Sequence, residues 1–221
     1  MTNPTVPQIV GVISSRADLR RAVGMRNPPD LFELRLDAAV ARIEEIKDAM
    51  GELRAPVIIT ARHPREGGFN DLSSRARCGL LRRFLPYADY VDIELRSTRP
   101  LAPVLEEARK KKIRTIISFH DFSDTPRPAR LDEIARGAHS LGADFLKIST
   151  RTDTQRQLTR LLDFFEQHRV EIKIAAMGIG RLGQISRLEF AQLGSALNYA
   201  HLGKPQTAGQ LSIAQLRRAL K

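Results

Sequence analysis

The sequence predicts a single (β/α)₈ barrel over residues 1–221, and two observations support this fold class. Eight runs rich in Val, Ile and Phe recur along the chain, each five to seven residues long, which is the length of a buried strand. The starts of consecutive runs lie 22 to 34 residues apart, which leaves room for a loop and a three-turn helix. Strands that alternate with helices predict a parallel sheet. Eight such units fit a closed barrel near its lower size limit.

The predicted strands are residues 9–14, 31–36, 56–62, 90–95, 115–120, 145–149, 172–177 and 196–202. Apolar residues at helical spacing predict helices after six of them, centred on residues 40–50, 80–85, 101–108, 134–141, 158–165 and 213–220. Gly142 predicts the end of the fourth of these helices. An open doubly wound sheet is the alternative fold, but it favours a glycine-rich turn after the first strand. Residues 13–16 read Ile-Ser-Ser-Arg instead.

The composition excludes several classes of protein. Hydrophobic residues make up 42% of the chain and charged residues 28%, which excludes disordered, collagen-like and coiled-coil chains. No apolar run approaches the ~20 residues of a membrane helix, so no membrane partner is expected. The N-terminus lacks the features of a secretory signal, and the lone Cys78 excludes an intrachain disulfide, which fits a reducing compartment. We therefore expect a cytoplasmic protein.

The net charge of +11 raises the question of nucleic-acid binding. The one dense basic run, residues 109–114, contains no aromatic residue on which a base could stack. It is typical of a solvated helix end, and we expect no nucleic-acid partner. Positive charge of this size also favours the approach of an anionic small substrate.

Charged residues occupy one face of the second predicted strand. Because side chains alternate along a strand, Glu33, Arg35 and Asp37 share the face opposite Leu34 and Leu36. If the leucines face the helices, the charged side chains point into the barrel. Buried charges are costly unless they are paired. The pattern therefore indicates either an active site or a structural ion network.

The other strands carry polar residues near their C-terminal ends, where (β/α)₈ enzymes place their active sites. Arg62 ends the third strand, Asp92 and Glu94 share a face of the fourth, His120 ends the fifth, and Lys147 interrupts the apolar sixth. Charges at so many strand ends are difficult to explain by packing alone. They predict a catalytic site at the mouth of the barrel.

Two of these residues are typical of imine and proton-transfer chemistry. A lysine within an apolar strand is rarely present for stability. Burial and cationic neighbours such as Arg62 and Arg187 would favour its uncharged amine, the form that attacks a carbonyl; pairing of Lys147 with Glu33 or Glu94 is the structural alternative. His120 is a candidate general base. We expect Glu66 to orient His120 and to favour its imidazolium form.

Seven segments, in order and over residues 33–210, resemble the motifs of the type I 3-dehydroquinate dehydratases, a family of (β/α)₈ enzymes of the shikimate pathway. The segments are Glu33-Leu34-Arg35-Leu36-Asp37, Arg62-His63-Pro64-Arg65-Glu66-Gly67-Gly68, Asp92-Ile93-Glu94-Leu95, Ser118-Phe119-His120-Asp121-Phe122, Asp144-Phe145-Leu146-Lys147, Met177-Gly178 with Ser186-Arg187, and Gly209-Gln210. The resemblance implies a hydro-lyase of aromatic amino acid biosynthesis. Such an enzyme removes water from 3-dehydroquinate through a lysine imine to give 3-dehydroshikimate.

The resemblance also implies roles for individual residues. Lys147 forms the imine with the C3 ketone, His120 moves the C2 proton and assists loss of the C1 hydroxyl, Glu66 pairs with His120, and Arg187 holds the substrate carboxylate. Further implied contacts to the substrate or to neighbouring side chains come from Glu33, Arg35, Arg62, Gln206, Thr207 and Gln210. The family implies no cofactor and no metal. The expected partner is the small-molecule substrate, with a possible homodimer.

The chain departs from the family at two places. The family often has an N-terminal β-hairpin that plugs the barrel bottom, but only eight residues precede the first predicted strand, so we expect the plug to be absent or reduced. The family's last loop reads Ser-Ala-Pro-Gly-Gln, whereas residues 206–210 read Gln-Thr-Ala-Gly-Gln. Thr207 offers a hydroxyl one position further on. A looser lid and a higher KM are the expected consequences.

Three alternatives stay open at the level of sequence. A class I aldolase also uses a lysine on such a strand, with residues 178–181 (Gly-Ile-Gly-Arg) as its phosphate loop, and free phosphate would then compete with its substrate. A nucleic-acid-binding protein would bind generic DNA in a salt-dependent manner. The third alternative is a barrel that has lost catalysis.

Overall fold

A computed structural model describes residues 6–220, in which eight β-strands alternate with eight α-helices. The strands are β1 (Gln8–Ile13), β2 (Leu31–Arg35), β3 (Val57–Thr60), β4 (Tyr90–Glu94), β5 (Arg114–Asp121), β6 (Phe145–Arg151), β7 (Lys173–Ile179) and β8 (Leu197–His201). The helices are α1 (Arg16–Val23), α2 (Ile43–Ala49), α3 (Ser74–Phe84), α4 (Ala102–Lys110), α5 (Pro128–Ser140), α6 (Gln155–Gln167), α7 (Gly183–Gln192) and α8 (Ile213–Ala219). The predicted (β/α)₈ barrel is confirmed.

The eight parallel strands form one sheet in the order β7-β6-β5-β4-β3-β2-β1-β8. The sheet curves into a nearly closed barrel, and β7 and β8 face each other across a seam. Ala196 N donates to Ile174 O at the bottom of this seam, at 2.9 Å. Higher up, Ala176 N of β7 donates to the Ser195 hydroxyl instead of to β8, at 3.1 Å. The seam therefore leaves space for a side chain from outside the barrel.

Two helices, α1 and α7, were not predicted from the sequence. The helix α1 has only eight residues, and Ser15 caps its N-terminus by accepting from Asp18 N. The buried face of α7 includes Gly183, Ser186 and Arg187. Because these residues are polar or lack a side chain, the helix shows little amphipathic periodicity.

The N-terminal plug was predicted to be absent or reduced. This prediction depends mainly on residues 1–5, which lie outside the described part of the chain. The first strand begins at Gln8, one position before its predicted start. Within residues 6–220, no helix combines the length and the apolar character that are needed to cross a membrane.

Alternation along the strands builds two separate apolar regions. Leu34, Leu36 and Ile59 face outward and pack with buried helix residues such as Leu81 and Ile134. The first inward residues of β2 to β6 form an apolar floor in the lower barrel. The floor consists of Leu31, Ile58, Tyr90, Ile116 and Phe145. Burial of one such side chain stabilises the fold by roughly 1.5–3 kcal/mol, so the floor supports the polar residues above it.

Candidate active site

Above the floor, the barrel interior becomes polar. The next inward residue on each of β2 to β6 lies two positions further along its strand, and together these residues form a middle layer. The middle layer consists of Glu33, Thr60, Asp92, Ser118 and Lys147, all of them buried. Two further positions along the chain come the residues of the rim, which are Arg35, Arg62, Glu94, His120 and Ser149. The site is thus built by strand periodicity from five consecutive strands.

Lys147 lies at the centre of the middle layer and is 4% exposed. Its Nζ donates to Glu33 Oε1 at 3.2 Å and to Asp92 Oδ2 at 3.1 Å. The sequence analysis expected cations, Arg62 and Arg187, around this amine; the structure instead gives it two carboxylate partners. One of these is Glu33, as the structural alternative proposed, and the other is Asp92 rather than Glu94. Asp92 contacts both Lys147 and Arg62, and it therefore separates the two cations.

Arg62 connects the middle layer to the rim. Its two terminal nitrogens bind the Asp92 carboxylate at 3.0 and 2.9 Å, and Nη1 also contacts Ser118 at 2.6 Å and Glu94 at 3.3 Å. Burial alone would raise the pKa of Asp92, but Arg62 and Lys147 outweigh it and hold that pKa far below its ordinary value. Asp92 is therefore a permanent anion that orients the two cations.

His120 forms a close pair with Glu66. Its Nδ1 lies 2.9 Å from Glu66 Oε2, and its backbone N–H donates to the same oxygen at 3.0 Å. Burial, reinforced by Arg62 and Lys147, lowers the pKa of His120 well below its ordinary value. The expected imidazolium form is therefore disfavoured on balance, despite the pairing with Glu66. The neutral imidazole is the form that a general base requires.

Glu66 follows β3 and is 4% exposed. Burial and the nearby Glu94 raise the pKa of Glu66 to about 7, against the opposing effects of Arg62, Arg96 and the His120 N–H. Arg96 reaches Glu66 Oε1 from the loop after β4, at 3.2 Å. When Glu66 is ionised it accepts from His120 Nδ1–H, which leaves Nε2 as the nitrogen available to a substrate.

Arg187 enters the barrel from α7 through the seam between β7 and β8. Its Nη1 donates to Tyr199 O at 3.2 Å, and its buried Nε has no hydrogen-bond partner in the described part of the chain. Among residues 6–220, no carboxylate forms an ion pair with this guanidinium. Burial lowers the pKa of Arg187 to about 10. A buried cation without a counter-ion is costly, and an anionic ligand would supply the missing charge.

Arg35 and Asp37 shape the opposite side of the mouth. Because β2 ends at Arg35, Asp37 lies in the turn beyond it, where its carboxylate accepts from Arg35 Nε at 3.0 Å and from Arg62 N at 3.1 Å. Asp37 also accepts from Phe69 N at 2.8 Å. It therefore anchors the loop that carries Glu66, and Arg35 is left facing the cavity.

The loop after β8 covers the mouth and has several anchors. Gln206 Nε2 donates to the Ser14 hydroxyl at 2.6 Å, and Gln206 N donates to Gln210 Oε1 at 2.7 Å. Gly180 N, in the loop after β7, donates to Ala208 O at 3.2 Å. The glutamine that replaces the family's serine ties the lid to the loop after β1 in this structure, and the higher KM stays a prediction.

A cavity of about 600 Å³, open to solvent, occupies the mouth. All ten residues that the sequence analysis selected line it: Lys147, His120, Glu66, Glu33, Arg35, Arg62, Arg187, Gln206, Thr207 and Gln210. Tyr199, Phe69 and Val12 also line it and were missed. Alternation along β8 is the signal that could have identified Tyr199. Within residues 6–220, no group of three or more His, Cys, Asp or Glu side chains is arranged to hold a metal ion.

The chain is similar to proteins named 3-dehydroquinate dehydratase over nearly its whole length. The family model for type I 3-dehydroquinase matches residues 11–221. The 3-dehydroquinate dehydratase of Thermococcus gammatolerans is 36% identical over 216 residues, which cover 96% of this chain and 97% of the relative. The sequence-level resemblance is thereby confirmed.

Solved structures agree with this assignment. The 3-dehydroquinate dehydratase of Geobacillus kaustophilus gives a TM-score of 0.87 at 29% identity, covering 97% of this chain and 90% of that one. The type I enzyme of Clostridium difficile, solved with covalently modified comenic acid, gives 0.86 at 27% identity, with the same shares covered. The chain therefore belongs to the type I 3-dehydroquinase family.

Proposed function

We propose that this protein is a 3-dehydroquinate dehydratase of the shikimate pathway and that it acts through a lysine imine. The observation that carries the proposal is a single cavity lined by a buried lysine, a histidine–glutamate pair and an arginine that has no carboxylate partner within residues 6–220. These three features match the three parts of the substrate that must be handled: a ketone, an acidic C–H bond and a carboxylate. The cytoplasmic location and the possible homodimer stay predictions.

The first half of the reaction makes the C2–H bond of the substrate acidic. Lys147 attacks the C3 ketone as an uncharged amine, and loss of one water gives a protonated imine. The positive nitrogen withdraws electrons from the adjacent C2–H bond. Glu33 and Asp92, at 3.2 and 3.1 Å from Nζ, fix the position from which the amine attacks.

The second half moves one proton from C2 to the leaving hydroxyl. His120 removes the C2 proton. The electron pair of the C–H bond forms a C2–C3 double bond, and the π pair of the protonated imine moves to nitrogen, which gives an enamine whose nitrogen pair returns when the C1 hydroxyl leaves. The resulting imidazolium then protonates the C1 hydroxyl, which leaves as water while the C1–C2 double bond forms. Hydrolysis of the imine releases 3-dehydroshikimate and regenerates Lys147.

Arg187 is the proposed partner of the substrate carboxylate. A guanidinium binds a carboxylate through two parallel hydrogen bonds. Nε of Arg187 has no partner among the described residues and can make one of them. Replacement of Arg187 with methionine, which has similar bulk and no charge, should raise KM by roughly 10- to 100-fold, as expected for the loss of a charged hydrogen bond. It should leave kcat much less affected.

The same variant should unfold at a higher temperature than the wild type in the absence of ligand, because a buried unpaired cation has been removed. Steady-state kinetics and calorimetry test the two parts together. An unchanged KM would show that another cation holds the carboxylate.

The Glu66–His120 pair predicts an unusual acid limb in the pH profile. Since the pKa of Glu66 is raised to about 7, kcat/KM of the free enzyme should fall as the pH decreases through about 7. Protonated Glu66 would donate to His120 Nδ1. The single ring proton of the neutral imidazole would then be on Nε2, and a protonated Nε2 cannot act as the base. In Glu66→Gln the fall in kcat/KM near pH 7 should disappear. The remaining fall, which reports the pKa of His120, should have its midpoint below 6.5, the ordinary pKa of a histidine.

Measurement of kcat/KM for both proteins from roughly pH 5 to pH 9 tests this assignment. An identical midpoint near 7 in the Glu66→Gln variant would assign the limb to a different group. A wild-type midpoint well below 6.5 would show that Glu66 stays ionised and that the histidine alone sets the limb.

The aldolase alternative is less well supported. Its phosphate site would need free backbone N–H groups in the loop after β7, but Gly178 N donates to the Ser186 hydroxyl at 2.9 Å and Arg181 N to Asp153 Oδ1 at 2.7 Å. Gly180 N is also engaged, with Ala208 O. A phosphate group would have to displace all of these acceptors.

A direct assay tests the proposed function. The purified protein is mixed with 3-dehydroquinate, and the conjugated enone of the product is followed by its ultraviolet absorbance. We expect turnover that ends permanently when borohydride is added together with substrate, but not when borohydride is added alone. Turnover that survives this treatment would argue for a reaction without an imine.

A further inference from the structure

Tyr199 provides a third contact to Lys147, in addition to the two carboxylates. Lys147 Nζ lies 4.0 Å from the centroid of the Tyr199 ring, over its face. Tyr199 is 4% exposed and points into the barrel from β8, where Val10 of β1 is its register partner. Its backbone oxygen accepts from Arg187 at 3.2 Å. Tyr199 therefore contacts both of the cations that the proposed reaction uses.

The ring is the part of Tyr199 that can act on Lys147. The hydroxyl is buried and has no hydrogen-bond partner among the described residues. Burial raises its pKa well above the ordinary value, so the side chain stays a neutral phenol. The negative face of a neutral aromatic ring attracts a cation placed within about 6 Å of its centroid, and it does so most strongly where water is excluded.

The three contacts of Lys147 differ in what they require of the nitrogen. Glu33 and Asp92 accept hydrogen bonds, and the ammonium has three N–H groups to share between them. The protonated imine has only one N–H, so it cannot keep both bonds. The ring requires no N–H at all, since it interacts with the positive charge, and that charge is still present in the protonated imine.

We propose that Tyr199 is a positioning residue whose ring face stabilises the protonated imine of Lys147 after one carboxylate hydrogen bond has been lost. This inference rests on the imine chemistry of the proposed function. It assigns the effect to the ring, and it assigns none to the hydroxyl. Phenylalanine at position 199 should therefore support the reaction as tyrosine does.

Graded fluorination of the ring separates charge stabilisation from packing. The matched series consists of Tyr199→Phe and the same variant carrying 4-fluoro-, 3,5-difluoro- or 3,4,5-trifluorophenylalanine at position 199. The shape changes little along the series, while the negative potential of the ring face decreases stepwise. The equivalent substitutions at Phe145, a buried floor residue that contacts Tyr90, provide the control.

The readout is the amount of enzyme trapped by borohydride at equilibrium with increasing concentrations of substrate and product. The half-maximal concentration should rise about tenfold from phenylalanine to the trifluorinated ring, which corresponds to ~1.4 kcal/mol at a site of this kind. The Phe145 series should not change it. A flat response at position 199 would overturn the proposal, as would a folded Tyr199→Phe variant that traps no imine.

A second readout does not depend on the substrate. The uncharged form of Lys147 reacts with acetic anhydride, and the rate of its acetylation near neutral pH should increase along the same series because the ring stabilises the ammonium less. If the wild type forms no imine, the proposed function fails. The acetylation series then still decides whether the ring stabilises positive charge at Lys147, and a flat series would overturn the inference on its own.

Discussion

Lys147→Ala should abolish turnover of 3-dehydroquinate and all substrate-dependent imine formation. The expected loss of kcat is roughly 10⁴-fold or more, the order seen when a covalent nucleophile is removed from an enzyme. No other lysine can replace it, because the described residues that line the cavity include only this one. Stopped assays at high enzyme concentration, together with intact-protein mass spectra after borohydride treatment, measure both effects.

The fold should survive this substitution. Asp92 keeps its two hydrogen bonds with Arg62, and Glu33 still accepts from Thr60 at 2.9 Å. The circular dichroism spectrum should therefore match that of the wild type. Lys173→Ala, which removes an exposed lysine at the start of the neighbouring strand, is the matched control and should be fully active. A folded Lys147→Ala protein with near-normal activity would end the imine hypothesis.

The second large effect is expected for His120→Ala. Loss of the general base should reduce kcat by about 10² to 10⁴-fold. The imine should still form, because Lys147, its two carboxylate partners and Arg187 are unchanged. Borohydride should therefore trap the variant in the presence of substrate while turnover is nearly absent. The adduct should carry the mass of the undehydrated substrate, because elimination is the step that is blocked.

His139→Ala, at an exposed position on α5, is the control and should behave as the wild type. If the His120 variant trapped only the dehydrated product at a normal rate, another group would be the base. If it trapped nothing, His120 would be required for imine formation itself, and the two roles would have to be reassigned.

Much of the fold could be predicted from local pattern. Parallel strands that are covered by helices are apolar runs of limited length, and their spacing along the chain indicated eight βα units. Periodicity missed α1, which has only eight residues, and α7, whose buried face includes Gly183, Ser186 and Arg187. In α7, Arg187 replaces an apolar contact because it passes through the open seam, and no local rule indicates which helix will do this.

The site could be located from the sequence because every second residue of a barrel strand faces the barrel interior. Glu33, Asp92 and Lys147 are on inward positions of three strands, and Lys147 Nζ contacts both carboxylates inside the barrel. The partners of each charge could not be predicted in this way. That Asp92 rather than Glu94 contacts Lys147 depends on the tilt of the strands and on the Arg62 side chain between them.

Charge states were the least predictable property. The expectation for His120 considered only its acidic partner, Glu66. In the folded protein, burial and the two cations nearby, Arg62 and Lys147, outweigh that partner. Tyr199 was missed for a similar reason, since an aromatic residue in a buried strand looks like packing until a cation is found over its ring.

A covalent bond between Lys147 and the substrate can be detected by chemical trapping. The protein is reduced with borohydride in the presence of 3-dehydroquinate, digested, and mapped by tandem mass spectrometry. We expect a single modified peptide, with the mass of substrate or product minus one water plus two hydrogens on Lys147. An adduct on another lysine, or active protein that forms no adduct, would contradict this expectation.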